Sequence, residues 1–280
     1  MLADNDEQPV WLSTACAGQA DRRIAIPTVL LLAAMFAITA PFAKHQLGII
    51  PALIPSHLTA VAITDLLTAG LLLAHFKITR SRALLVLGCG YLFTAGMIVP
   101  FALSFPGLFS EAGLLPGSGP QTTVWLYLFW HAGFPLFVMA YARVKDDDRA
   151  QREIEPSRNS SGRAILCGVG LALLAVVALV LLATLGSALL PPILQNQVYT
   201  SEKNVIVAAV WMLCATALVV LWRRRPHSVL DLWLMVALFA WLCEVALSAA
   251  FSGQRYDVGF YAGRLFGLLA ATFVLMMMQV

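Results

Sequence analysis

Eight apolar runs, each near the length of a membrane crossing, occupy most of this 280-residue chain and leave it few folds to choose from. A bilayer core about 30 Å thick needs about 20 apolar residues in a helix. The runs cover approximately residues 24–42, 57–76, 83–105, 124–142, 164–189, 204–222, 229–251 and 259–280. A transmembrane barrel would instead show short strands of alternating polarity, and stretches such as LCGVGLALLAVVALVLLATL and VIVAAVWMLCATALVVLW do not alternate. The sequence therefore predicts an all-α fold, a polytopic membrane bundle of eight helices.

Composition closes the remaining routes. Only 12% of residues are charged and 60% are apolar, against about 25% charged in an ordinary soluble domain. Disorder is excluded as well, because 15 Phe, 7 Trp and 6 Tyr are spread along the chain. The net charge of +3 is small and scattered, so no nucleic-acid partner is expected. Cys16, Cys89, Cys167, Cys214 and Cys243 show no C-x-x-C spacing, and four lie in apolar runs. They read as packing residues rather than a disulfide or zinc framework.

Sidedness follows from Lys and Arg, which collect in cytoplasmic loops. With a cytoplasmic amino terminus, the inside receives 14 of the 18, from Arg22 and Arg23 through the Arg223–Arg225 cluster. The outside keeps Lys44, Lys203, Arg255 and Arg264. Both termini are then expected on the cytoplasmic face of a bacterial inner membrane. Residues 1–23 form a cytoplasmic tail, and a charged linker at 143–163 joins the halves 24–142 and 164–280. Helix eight stops at Gln279 and Val280 without a basic anchor. A continuation of the natural chain into an output domain is expected from that.

Ionisable groups inside spans cost at least roughly 2.5 to 3.5 kcal/mol and normally face a partner or a cavity. Asp65, His131, Glu244 and Arg264 stand out, at depths of about 12, 10, 10 and 7 Å below the outer helix ends at 1.5 Å per residue. Agreement in depth across four helices suggests an outward-opening polar cavity whose floor pairs Arg264 with Glu244 or Asp65. His131, preceded by Trp130 and followed by Pro135, is suited to donate to a carboxylate, bind a ligand or titrate near neutral pH. The same pairing could instead fix helix register and nothing more, and Asp65 could bond to its own backbone near Thr64 and Thr68. His45 and His57, near the outer boundary, are expected to be solvated.

In RYDVGFYAGR, Asp257, Tyr261 and Arg264 are spaced i, i+4 and i+7 on one helical face. Gly259, Gly263 and Gly267 form a small-residue stripe suited to close helix packing. The outer segments IIPALIP and FPGLFSEAGLLPGSGP mix apolar residues with Pro and Gly, as loops folded back over a cavity mouth would. No H-x-x-x-H or H-x-x-E-H pair, G-x-S-x-G elbow or Walker loop occurs, so no metal ligands and no catalytic residues are assigned, and the cofactor is unknown.

Four strings together resemble one family: PALIPSHLTAVAITDLLTAGLLLAHF (51–76), SRALLVLGCGYLFTAGMIVPFALSFPGLF (81–109), GPQTTVWLYLFWHAGFPLFVMAYA (119–142) and RYDVGFYAGRLFGLLA (255–270). They resemble the fourth class of bacterial membrane-associated sensor domains, from about residue 24 onward. The resemblance implies an eight-helix input module followed by a diguanylate cyclase or histidine kinase, an output this sequence lacks. It points to Asp65, Trp130, His131, Pro135, Arg255, Tyr256, Asp257, Tyr261 and Arg264 as motif positions without assigned roles.

The expectation is thus a non-enzymatic sensory input domain. A small ligand or other periplasmic stimulus would act on two packings of the bundle, and the last helix would carry the change inward. Membrane lipid and an unknown small molecule are the expected partners, with a homodimer formed through the output module. A transporter or channel would need polar residues continuing through the inner half, where the sequence offers little beyond Tyr91, Thr94 and His75. A haem or metal carrier would have to use His131 with His57.

Overall fold

The computed structural model describes residues 15–111, 113–152, 161–195 and 198–279. Eight helices are long and apolar enough to cross a membrane: α1 (Gln19–Thr39), α2 (Leu53–Thr79), α3 (Arg82–Ser104), α4 (Thr122–Arg152), α5 (Ser161–Thr184), α6 (Ser201–Arg223), α7 (Val229–Val245) and α8 (Val258–Met278). Eight crossings bring the start of α1 and the end of α8 to one face, here the terminal face. The opposite, distal face carries the α1–α2, α3–α4, α5–α6 and α7–α8 connections.

Local chemistry sets several helix boundaries. Ser228 and Asp231 cap the start of α7 reciprocally: Ser228 Oγ accepts from Asp231 N at 3.2 Å, and Asp231 Oδ2 accepts from Ser228 N at 2.8 Å. Asp257 caps α8, its Oδ1 accepting from Phe260 N at 2.8 Å. Helix α2 ends on Arg80 in a left-handed conformation, φ 56°. Helix α4 runs to Arg152, ten residues past the run predicted from hydropathy. Much of KDDDRAQR consists of helix formers, so the stretch expected as a linker at 143–163 is in part helix. The remainder of that linker, 153–160, lies outside the described residues.

Helices α3 and α7 are the most buried crossings, while α1 and α5 show most of their surface to the surroundings. That difference marks which helices face lipid. Packing does not respect the division of the chain at the linker, because α1 packs on α7, α2 on α8, α3 on α5 and α4 on α6. Small residues allow the closest approaches: a Cβ at Gly90 would lie 2.7 Å from Phe137 Cβ, and one at Gly168 would lie 2.9 Å from Cys89 Sγ.

Backbone pairing ties the two faces. On the distal face the α1–α2 connection runs antiparallel to the segment entering α8, with Leu47 N donating to Tyr256 O at 3.0 Å. Val258 N donates to His45 O and Gly259 N to Ala43 O, both at 2.9 Å. On the terminal face Ala17 N donates to His227 O at 2.9 Å and Val229 N to Ala15 O at 3.0 Å. The starts of α7 and α8 are therefore each clamped by the segments flanking α1.

Candidate functional site

Near the distal end, α4, α7 and α8 bring three ionisable side chains together. Glu244 Oε1 of α7 lies 3.1 Å from His131 Nε2 of α4 and 3.5 Å from Arg264 Nη1 of α8. All three are at most 5% exposed, and the opposite charges of Glu244 and Arg264 offset the cost of removing one another from water. Neither contact is aligned as a hydrogen bond, which leaves His131 Nε2, Glu244 Oε1, Arg264 Nε and Arg264 Nη1 buried without hydrogen-bond partners. The contacts are close without being hydrogen bonds.

His131 is held by its other nitrogen. Nδ1 sits 2.8 Å from Tyr127 O, and since a carbonyl can only accept, Nδ1 carries a hydrogen and Nε2 is the atom presented to Glu244. The imidazole stacks on the Tyr127 ring at 3.8 Å between centroids and touches Trp130 and Trp241 at 4.8 and 5.0 Å. The Arg264 guanidinium carbon sits 4.8 Å from the ring centre of Phe260, 5.5 Å from Tyr127 and 5.9 Å from Phe101, an aromatic cage for a cation.

The backbone of α7 changes at this level. Directly after Glu244, residues Ala246–Phe251 form a π-helical turn, an irregularity that frees carbonyls and often accompanies functional sites. Ser248 Oγ donates to the Glu244 carbonyl at 2.7 Å and so accepts from Tyr127 Oη at 2.8 Å. Gly263 and Gly267 admit the turn against α8. A Cβ would lie 2.7 Å from Ser248 Cβ at Gly263, and 2.6 Å from Glu244 Oε2 at Gly267. Gly259 similarly packs on Leu247 O and Ala43.

Other residues singled out in the sequence lie elsewhere. Asp65 does not reach Arg264: its Oδ2 accepts from Thr94 Oγ1 of α3 at 2.6 Å, and no Lys or Arg among the described residues lies within ion-pair distance. Depth along α2 matched, but the side chain points to α3. Asp257 is not part of a shared face with Tyr261 and Arg264. Besides capping α8, its Oδ2 accepts from Ser252 Oγ, Gly253 N and Gln254 N at 3.0, 2.8 and 3.2 Å. Tyr261 turns to the α1–α2 connection, donating to Gly48 O at 2.9 Å and accepting from Ile50 N at 3.1 Å. Tyr256 adopts φ 68° and packs on Phe260. Trp130 is buried against Phe101 and Trp241 with Nε1 unpartnered.

His57 corrects an expectation, since it is buried rather than solvated. Both ring nitrogens lack a hydrogen-bond partner, and the helix that carries it, α2, packs on α8. The position of His57 near a span boundary concealed this, because hydropathy cannot say that the α2 start leans inward against α8.

A second buried pair was missed. About 21 Å further along α4 than His131, Lys145 Nζ donates to both Asp231 oxygens, to Tyr141 Oη and to Ser228 Oγ, each at 2.8 Å. Tyr141 Oη donates in turn to Asp231 Oδ1 at 2.7 Å. The terminal half is thus less apolar than the sequence suggested. The signal was present as Tyr141 and Lys145 four residues apart, but Lys145 was assigned to the linker. Among the described residues no group of three His, Cys, Asp or Glu side chains converges as metal ligands would.

Beside the cluster a cavity of about 80 Å³ opens between α3, α4, α6, the π turn and α8, with Arg264, Tyr127, Ser248 and Arg255 among the residues that line it. Arg255 lies 4.8 Å from the Phe105 ring centre.

No curated protein and no solved structure matches this chain. A family described as membrane-associated sensor, integral membrane domain, matches residues 48–279, which takes in α2 to α8 and every residue of the cluster. With that match over most of its length, on a bundle of eight membrane-length helices, the chain belongs to the family of membrane-associated sensors and is a multi-pass sensory domain.

Proposed function

We propose that the chain is the input module of a bacterial inner-membrane signalling protein, in which a stimulus at the distal face shifts the balance between two packings of the bundle. The observation that carries this reading is the buried His131–Glu244–Arg264 contact, which joins three helices, one of them α8. A ligand moves such an equilibrium only through its differential affinity for the two states. Removing one member of a buried pair costs about 3 to 5 kcal/mol, enough to reverse a preference of a few kcal/mol.

Orientation comes from charge. The distal connections and helix starts hold Lys44, Lys203, Arg255 and Arg264, and the remaining 14 basic residues belong to the terminal side. The distal face is then periplasmic and the terminal face cytoplasmic. Change at Arg264 passes along α8 to a cytoplasmic output module of the diguanylate cyclase or histidine kinase type, working as a homodimer. No chemistry is assigned to the membrane bundle itself.

The test continues α8 into a diguanylate cyclase domain and reads cyclic-di-GMP from the chimera in membranes. Arg264→Leu and Glu244→Gln should each change output, with the double variant close to either single one. Additive effects, or no change in either single variant, would refute the pair as the switching element.

A further inference from the structure

We infer that the distal cavity binds a small organic carboxylate, with the Arg264 guanidinium as its anion-binding group and the aromatic and aliphatic wall as the seat of its alkyl part. The role of this site rests on the sensory reading above; its chemistry does not.

Charge selects the sign of the ligand. Of the 15 residues lining the cavity, Lys203, Arg255 and Arg264 are cationic and none is acidic. Nearby acids are otherwise engaged. The Asp257 carboxylate accepts four hydrogen bonds in the turn before α8, and Glu244 faces His131 as well as Arg264. Arg264 is 5% exposed, and its Nε and Nη1 have no acceptor. A guanidinium presents donors in a planar fork that matches the two oxygens of a carboxylate.

The remaining donors decide between a carboxylate and a tetrahedral oxyanion. The four hydroxyls at the wall are already committed: Thr123 donates to Ser104 O at 2.8 Å, Tyr127 to Ser248 Oγ at 2.8 Å, Ser248 to Glu244 O at 2.7 Å, and Ser252 is placed at 3.0 Å from both Gln254 O and Asp257 Oδ2. A phosphate or sulfate would have to draw donors from Lys203 and Arg255 as well as Arg264, whereas the two oxygens of a carboxylate are matched by the Arg264 fork alone. An alkyl group, by contrast, meets Phe101, Phe260, Val124, Val207 and Ala249. Size sets the length. A dry protein cavity of about 150 Å³ holds benzene, and about 80 Å³ suits a chain of two to four carbons including the carboxylate.

The test uses the 280-residue chain in nanodiscs of zwitterionic lipid at constant ionic strength. Sodium acetate, propionate and butyrate are titrated against propionamide, phosphate and sulfate, following tryptophan fluorescence and thermal unfolding. Propionate should bind saturably, and neither the neutral amide nor the oxyanions should compete. Arg264→Gln should weaken propionate binding by at least about tenfold, the scale of one charge-assisted hydrogen bond. Because that variant disturbs the ion cluster, Ala249→Phe and Val207→Phe fill the cavity without touching a charge. They should abolish binding while leaving ligand-free unfolding near the parent.

Absent saturation, equal binding of phosphate, or binding indifferent to the filling variants would each overturn the inference. If carboxylates fail to bind while Arg264→Leu and Glu244→Gln still act non-additively on the chimera, this inference falls and the sensory reading stands. Tight propionate binding with an output indifferent to all these changes would leave the site and remove its sensory role.

Discussion

Replacing Gly267 by Ala places a methyl group where the Glu244 carboxylate now lies. The added Cβ would sit 2.6 Å from Oε2, 2.8 Å from Cδ and 3.0 Å from Oε1. Non-bonded heavy atoms settle near 3.5 Å, so the carboxylate must withdraw by about 1 Å. On a free side chain that would cost little. Here the same group stands 3.1 Å from His131 Nε2 and 3.5 Å from Arg264 Nη1, and the shift separates it from one or both. Losing a buried pair costs about 3 to 5 kcal/mol, whereas Ala for Gly in a helix returns up to about 1 kcal/mol. The net expectation is a loss of about 2 to 4 kcal/mol. Reversible unfolding in mixed micelles titrated with dodecyl sulfate, followed by tryptophan fluorescence, measures it. Gly170→Ala provides the propensity baseline, since a Cβ there meets nothing within 4 Å. In a Glu244→Ala background, Gly267→Ala should cost nothing. The reasoning is refuted if Gly267→Ala in the parent matches Gly170→Ala to within about 0.5 kcal/mol.

Three further outcomes follow from the same geometry. Lys145→Met strands the buried Asp231 carboxylate and should lower stability by about 3 to 5 kcal/mol; adding Asp231→Leu should recover part of that loss in the same unfolding assay. Tyr261→Phe removes the hydroxyl that bridges Gly48 O and Ile50 N, costing about 1 to 2 kcal/mol, and hydrogen exchange should quicken at residues 48–50 but not in α3. Thr94→Val should destabilise by about 1 to 3 kcal/mol because it leaves the Asp65 carboxylate without its hydrogen bond, and Asp65→Asn in the Thr94→Val background should offset part of it.

Much of this protein is written in one coordinate, distance along a helix. Apolar run length gave all eight crossings, and counting residues placed His131, Glu244 and Arg264 at one level, where the structure joins them. The same count admitted Asp65, which shares their depth but bonds to Thr94 on α3. It passed over His57, whose place near a span end looked solvated, and Lys145, which belonged to a helix that continues past its apolar run. The caps came only with the structure: Ser228 and Asp231 form a capping box and Asp257 caps α8, where the spacing suggested that Asp257 shares a face with Tyr261 and Arg264.

What sequence alone determined is therefore what each helix must do by itself: cross the membrane and carry a charge at a given depth. What tertiary structure decided is rotation and neighbourhood. Rotation about the helix axis changes at the π turn after Glu244, and which helix stands opposite depends on close approaches at Gly263 and Gly267. Neither is encoded in a local repeat, because each arises only when distant helices press together. Glu244 meets Arg264 and His131, and Asp65 does not, because the energy of a buried charge is settled by the atoms within about 4 Å of it.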